Sequence, residues 1–211
     1  MVKKALFPIH IYQKNIKENV YLQDELVESI YNNYKNDKNR KAPEGWITNH
    51  IYTTFNDHEI NVNTFSTNPR IREIYLDNIF EFFDQEVSFD ILEFWVNVYE
   101  NGEYQEEHTH LRTEYDSRPS QFSCIHFLKF DSENHIPVTF VDPIETTRYT
   151  SLEMNSNHYR SHYYPKIKEG DLLMFPSYLS HFVRPSQSTP GNPRITVSFN
   201  LAINHYGKQS T

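Results

Sequence analysis

The sequence predicts a mainly β domain, an antiparallel sandwich or barrel with two helices ahead of it. Three observations carry this: the apolar period changes from helical to extended near residue 89, six short β-rich runs follow with polar turns and no helix between them, and an aromatic content of 15% supplies bulky material for one sizeable core. A length of 211 residues suits one compact unit, 1–211, with a helical and extended part at 1–88 and the β core at 89–205.

The first helix is expected in "LQDELVESIYNNYKND", where Leu22, Leu26, Ile30 and Tyr34 recur at helical spacing and acidic residues gather toward the start. The second is expected in "NPRIREIYLDNIFEFFDQEV": Asn68 is a candidate cap, Pro69 suits the first turn, and Ile71, Ile74, Ile79 and Phe82 form the apolar side. From residue 89, "FDILEFWVNVYENGEYQ" is rich in β-forming residues, and Asn101-Gly102 signals a hairpin or tight turn between extended segments. Further strands are expected at "FSCIHFLKF", "IPVTFVD", "DLLMFPS", "SHFVRP" and "RITVSFNLAIN", with Gly170-Asp171 turning the chain into the fourth of these runs after the period change.

Charge narrows the function classes. Twenty basic against 28 acidic residues leave a net charge of −8, which argues against a broad phosphate-binding face and so against a nucleic-acid partner. The basic stretch Lys35 to Lys41 is broken by Asn and Asp and is expected to be a solvated loop. Cys124 is the only cysteine, so no internal disulfide can form. The amino-terminal apolar run is too short for a signal h-region, and no stretch reaches the roughly 20 apolar residues that span a bilayer. A cytoplasmic protein with no membrane partner is expected, in the host cytoplasm if the chain is viral.

The chemistry concentrates in "YQEEHTHL", residues 104 to 111. Eleven histidines in this length give about 0.6 H-x-H pairs by chance, so the motif alone decides little. In an extended segment, however, His108 and His110 project to one face with Cα atoms about 7 Å apart, and both imidazoles can converge on one ion. Imidazole suits iron, zinc, copper or nickel, and a third ligand is available in His181 of "FPSYLSHFV". Alternation also puts Arg194, Thr196 and Ser198 on one face, a two-donor fork beside two hydroxyls that would receive a small carboxylate. Trp95, Asn97 and Tyr99 share another strand face, directed either to core or to pocket. His158 and His162 in "HYRSH" have helical metal-pair spacing but no convincing helix around them, and are expected in a loop. Cys124 and His126 alternate with Ser123, and the pattern does not say which set faces inward.

These pieces, in this order, resemble the iron(II)- and 2-oxoglutarate-dependent oxygenases, and within them the prolyl-hydroxylase-like branch of marine bacterial and phage type. "WVNVYENGEYQEEHTH" is similar to that family's strand, glycine turn and metal-binding segment, "FSCIHFLKF" and "VTFVDP" to its central strands, "KEGDLLMFPSYLSHFVRP" to the strand leading to its distal histidine, and "PRITVSFNLAIN" to its closing strand. The resemblance implies a double-stranded β-helix (jelly-roll, cupin-like) with the N-terminal helices packed outside. It implies Fe(II), 2-oxoglutarate and O₂ as cofactor and cosubstrates, His108 and His181 as iron ligands, and Arg194 as partner of the distal 2-oxoglutarate carboxylate, assisted by Thr196 or Ser198. Tyr99 and Asn97 are further candidates for the cosubstrate pocket.

One departure stands out. Most of the superfamily has Asp or Glu two residues after the first histidine, where this chain has His110. Spacing aims His110 inward, so three histidines are the expected metal set, with Asp142 of "FVDP" or water as alternatives. The expected activity is a dioxygenase, a hydroxylase by class. The prime substrate is open: a protein side chain, amino acid, nucleobase or small metabolite. A three-histidine cupin-like dioxygenase working without 2-oxoglutarate, and a non-catalytic binding module on the same fold, are the rival readings.

Overall fold

Alternation along the last strand shows how the layers are arranged. In β10 (Arg194–Tyr206), Ile195, Val197, Phe199 and Leu201 point one way and Arg194, Thr196, Ser198 and Asn200 the other, yet all eight are buried. A strand buried on both faces must be covered twice. Helices cover the apolar face, and a second sheet covers the polar one. The computed structural model describes residues 8–16, 20–37, 43–48, 51–55, 57, 69–83, 87–111, 119–145 and 161–206.

The larger sheet has six strands. At its centre β10 pairs antiparallel with β3 (Val87–Tyr99) on one side and β5 (Phe122–Lys129) on the other. Beyond β5 lie β8 (Asp171–Pro176) and β1 (Tyr12–Asn15), and beyond β3 lies β2 (Tyr52–Thr53). The smaller sheet runs β4 (Gln105–His108), β9 (His181–Val183), β6 (Val138–Val141), β7 (His162–Tyr163). Two facing antiparallel sheets with this crossing connectivity form the double-stranded β-helix.

Both expected helices form. In α1 (Val20–Asn36), Leu26, Ile30 and Tyr34 are buried against the larger sheet, at i, i+4, i+8. In α2 (Pro69–Phe80), Ile71, Tyr75 and Ile79 repeat the same spacing, so Tyr75 takes the core place expected of Ile74, which is only half buried. The helix stops at Phe80, and Phe82 packs on the core from the turn that follows. Asn68 lies outside the described residues.

One expectation is corrected, that of His162, and three others gain detail. The N-terminal part, expected as helical and extended, packs its helices on the larger sheet and adds β1 and β2 as that sheet's edge strands. β3 begins at Val87, two residues ahead of the change of period. Of the two forms expected for Asn101-Gly102 the tight turn is found, with Gly102 at φ +79°, and it carries the chain from one sheet to the other, since β3 and β4 belong to different sheets. Finally, His162 lies in β7 at the edge of the smaller sheet and not in a loop, while His158 is outside the described residues. Of the basic stretch, Lys35 belongs to the last turn of α1, with its ammonium 4.0 Å from the Tyr31 ring centre.

Both faces of β5 are also buried. Ser123, Ile125 and Phe127 line the space between the sheets, whereas Cys124 packs in the helix-side core. His126 is on that side as well, its Nδ1 2.8 Å from the Tyr75 hydroxyl.

Candidate active site

His108 closes β4 and His181 opens β9, and the two residues are direct cross-strand partners. Pairing alone therefore sets their rings side by side, with centroids 4.3 Å apart. His110 follows the strand. Its backbone N–H donates to the carbonyl of Ser177 at 2.9 Å and its own carbonyl accepts from the Ser120 hydroxyl at 3.2 Å. The clamp holds its ring 5.0 Å from both other imidazoles. One nitrogen from each of the three rings lies within 4.8 Å of the others, the only such group of three potential ligands among the described residues.

Hydrogen bonds fix the ring orientations. Nδ1 of His108 is 2.8 Å from the Glu106 carbonyl, and Nδ1 of His181 is 2.9 Å from the Leu179 carbonyl. A carbonyl only accepts, so these Nδ1 atoms carry the protons and each Nε2 presents a lone pair. Nε2 of His110 and of His181 are 3.3 Å apart. Burial pushes the pKa of His181 down to about 3, with a smaller contribution from His108, and burial also lowers that of His108. Neutral imidazoles with outward protons tied to carbonyls are the donor form that a divalent ion requires. The set thus fits a divalent transition metal, and an ion about 2.1 Å from each nitrogen is within its reach.

Asp142 is not part of this group. It sits in the turn after β6, where its Oδ1 accepts from the backbone N–H of Ile144 at 3.1 Å.

Behind the imidazoles a narrow cleft runs between the sheets. Asn97 and Tyr99 of β3, and Arg194, Thr196 and Ser198 of β10, all line it, because Tyr99 pairs with Arg194 and Asn97 with Thr196 in register. Arg194 is 1% exposed. Its Nη1 donates to the Ile136 carbonyl at 2.6 Å and its guanidinium lies 3.7 Å from the centre of the Tyr99 ring. Its Nε has no hydrogen-bond partner, and no carboxylate among the described residues pairs with it. Burial lowers its pKa, while Tyr99 acts in the opposite sense. Burial raises the Tyr99 phenol to about 12, so it stays a donor, and its hydroxyl gives its proton to Oε1 of Gln105 at 2.9 Å.

Gln105 was not expected here. Its Nε2 is 3.5 Å from Nε2 of His108, and it links that ring to Tyr99 and, through the ring face, to Arg194. A register shift between Gln105 and His108 puts both side chains on the pocket side, although three residues of regular strand would separate them to opposite faces. A buried chain also went unforeseen. Ser120, Ser177, Ser123 and Asn200 are joined by contacts of 2.6, 3.0 and 2.8 Å, and Asn200 donates to Glu93 at 2.7 Å.

Outside the imidazoles a second, wider basin opens, sharing Trp95, Gln105, His108 and His110 with the inner cleft. No described helix is long and apolar enough to cross a membrane.

Residues 93–200 match the sequence profile of the family described as "Putative 2OG-Fe(II) oxygenase", a range that includes every site residue named above. No curated protein matches the chain significantly. Among solved structures, it is similar to a Pseudomonas putida prolyl-4-hydroxylase, with 14% identity over 94% of each chain and a TM-score of 0.52. It is also similar to a viral collagen prolyl hydroxylase from Paramecium bursaria Chlorella virus-1, solved with 2OG, with 12% identity over 91% of this chain and 95% of that one at a TM-score of 0.53. A third is EctD from S. alaskensis, solved with 2-oxoglutarate and 5-hydroxyectoine, with 15% identity over 92% of this chain and 72% of that one at a TM-score of 0.57. At such identities the likeness is one of fold, and the family rests on the profile: the chain belongs to the 2OG-Fe(II) oxygenases, dioxygenases that use Fe(II), 2-oxoglutarate and O₂.

Proposed function

We propose that the enzyme is a hydroxylase in which His108, His110 and His181 hold the iron and Arg194 receives the distal carboxylate of 2-oxoglutarate. The observation that carries this reading is the fully buried guanidinium without an acid partner, facing three imidazoles across one cleft. A buried cation left unpaired costs several kcal/mol, which an anionic cosubstrate would offset.

Iron held there would relay electrons to O₂, two drawn from oxidative decarboxylation of 2-oxoglutarate and two from the substrate, and the overall change balances as substrate C–H plus 2-oxoglutarate plus O₂ giving substrate C–OH, succinate and CO₂. This chain's residues do the rest. Arg194 offers Nε and its remaining Nη protons to the carboxylate, with Thr196 and Ser198, both buried and on the same strand face, available as hydroxyl donors. Tyr99 holds the guanidinium plane, and Asn97 closes the wall beside Thr196. With no acid in the ligand set, the centre carries one more positive charge than a two-histidine, one-carboxylate site, and an anionic cosubstrate binds more strongly to it.

Anaerobic addition of iron(II) and 2-oxoglutarate should produce the weak visible charge-transfer absorption of the chelate, and admitting O₂ should release succinate. His108→Ala should abolish the absorption. A full-strength band in that variant would remove His108 from the ligand set.

A further inference from the structure

Resting on the site assignment above, we infer that the prime substrate carries a cationic group, an ammonium or guanidinium, and that this group sits in the outer basin while the carbon to be oxidised reaches the three imidazoles. Three aromatic rings cross the basin in contact. Trp46 and Phe55 have centroids 5.6 Å apart, Phe55 meets Trp95 edge-on at 5.1 Å, and Trp95 lies 5.4 Å from His110. Glu106 and Glu107 complete the wall, and no lysine or arginine is among the described residues that line it.

The two carboxylates differ. Glu106 accepts from the backbone N–H groups of Ile47 and Thr48, at 2.8 and 3.4 Å, which fastens the Trp46 segment over the basin and holds that charge in place. Glu107 is exposed and accepts from the Ser180 hydroxyl at 2.6 Å through one oxygen. Aromatic faces attract cations, most strongly where water is partly excluded, and fixed negative charge nearby adds to the attraction. The same wall repels anions. The inner cleft has the opposite character, with Arg194 and no acid. The site therefore has two chambers of opposite charge preference, which direct a dianionic cosubstrate inward and a cationic substrate to the outer chamber.

The chain's only two tryptophans, Trp46 and Trp95, both line the basin, so intrinsic fluorescence reports its occupancy. Three probes of one shape separate charge from size: choline, the neutral 3,3-dimethylbutan-1-ol and the anionic 3,3-dimethylbutanoate. They are titrated anaerobically into enzyme loaded with iron(II) and 2-oxoglutarate. Choline should give a saturable change with a dissociation constant about tenfold below that of the alcohol, and the anion should give none. Glu107→Gln should weaken choline severalfold and leave the alcohol unchanged. Equal affinity for choline and alcohol, tighter binding of the anion, or no saturable change with any probe would overturn the inference. The chelate absorption is recorded in the same samples. A normal band without choline preference defeats only the substrate class, and choline preference without a band defeats only the ligand assignments of the preceding section.

Discussion

Replacing Arg194 by Met should separate stability from cosubstrate binding. The guanidinium is fully buried, and its compensation is one charge-assisted hydrogen bond to a neutral carbonyl and one aromatic face. Those contribute about 1.5–3 and up to about 2 kcal/mol. The effective desolvation cost of such a cation is several kcal/mol, so in the ligand-free protein the balance is close to zero. Met fills similar length without a charge. Urea unfolding of apo Arg194→Met should therefore show stability unchanged or raised by about 1–3 kcal/mol. Loss of one partner from a buried charge pair costs about 2–5 kcal/mol, so 2-oxoglutarate affinity, read by anaerobic titration of the chelate absorption, should fall by about 30-fold to several thousandfold. Arg194→Lys should recover part of that loss, because an ammonium supplies charge without the planar fork. Binding within about threefold of wild type would refute the assignment. A loss of more than about 3 kcal/mol in apo stability would show instead that the guanidinium anchors the fold.

Three further outcomes follow from local geometry. His126 is kept neutral to about pH 3 by burial but protonates near 6.5 when unfolded, so the unfolded chain gains a proton that the folded one refuses and stability falls as pH drops from about 6.5 toward 3. In iron-free enzyme, His126→Leu should remove about 2 kcal/mol of the loss between pH 7.5 and 5, and a pH-independent difference in urea unfolding would contradict this. Ser120→Ala removes the hydroxyl that holds the His110 carbonyl, and competition with a chelator should show iron(II) binding about tenfold weaker with the fold intact. Unchanged affinity would rule out that role. At Gly102 an added Cβ meets nothing within 4 Å, so Gly102→Ala should cost only the positive-φ penalty of about 1–2 kcal/mol, measured by thermal unfolding.

The core of the site was legible because it lies on strands whose side chains alternate. His108, Arg194, Thr196 and Ser198 fall where parity puts them, and His181 is brought opposite His108 by strand pairing. The face of β5 was not legible, since both sides of that strand are buried and no polar-apolar contrast marks either. β1 and β2 escaped because four half-polar residues and a two-residue pairing carry no measurable period. Gln105 was hidden by the irregularity that breaks parity in β4. Trp46 and Phe55 lie outside helices and strands, where only tertiary placement gives them a role. Tyr75 displaced Ile74 because a long ring reaches both Phe199 and His126 from the helix.

The imidazoles of His108 and His181 belong to the smaller sheet and the guanidinium of Arg194 to the larger one. On the proposed assignment, a cosubstrate chelated at one end and gripped at the other would act as a rivet between the two halves of the sandwich. By mass action, 2-oxoglutarate at a hundred times its dissociation constant adds about 2.7 kcal/mol to the folded state. Proteolysis of the ligand-free chain should accordingly slow as 2-oxoglutarate is added.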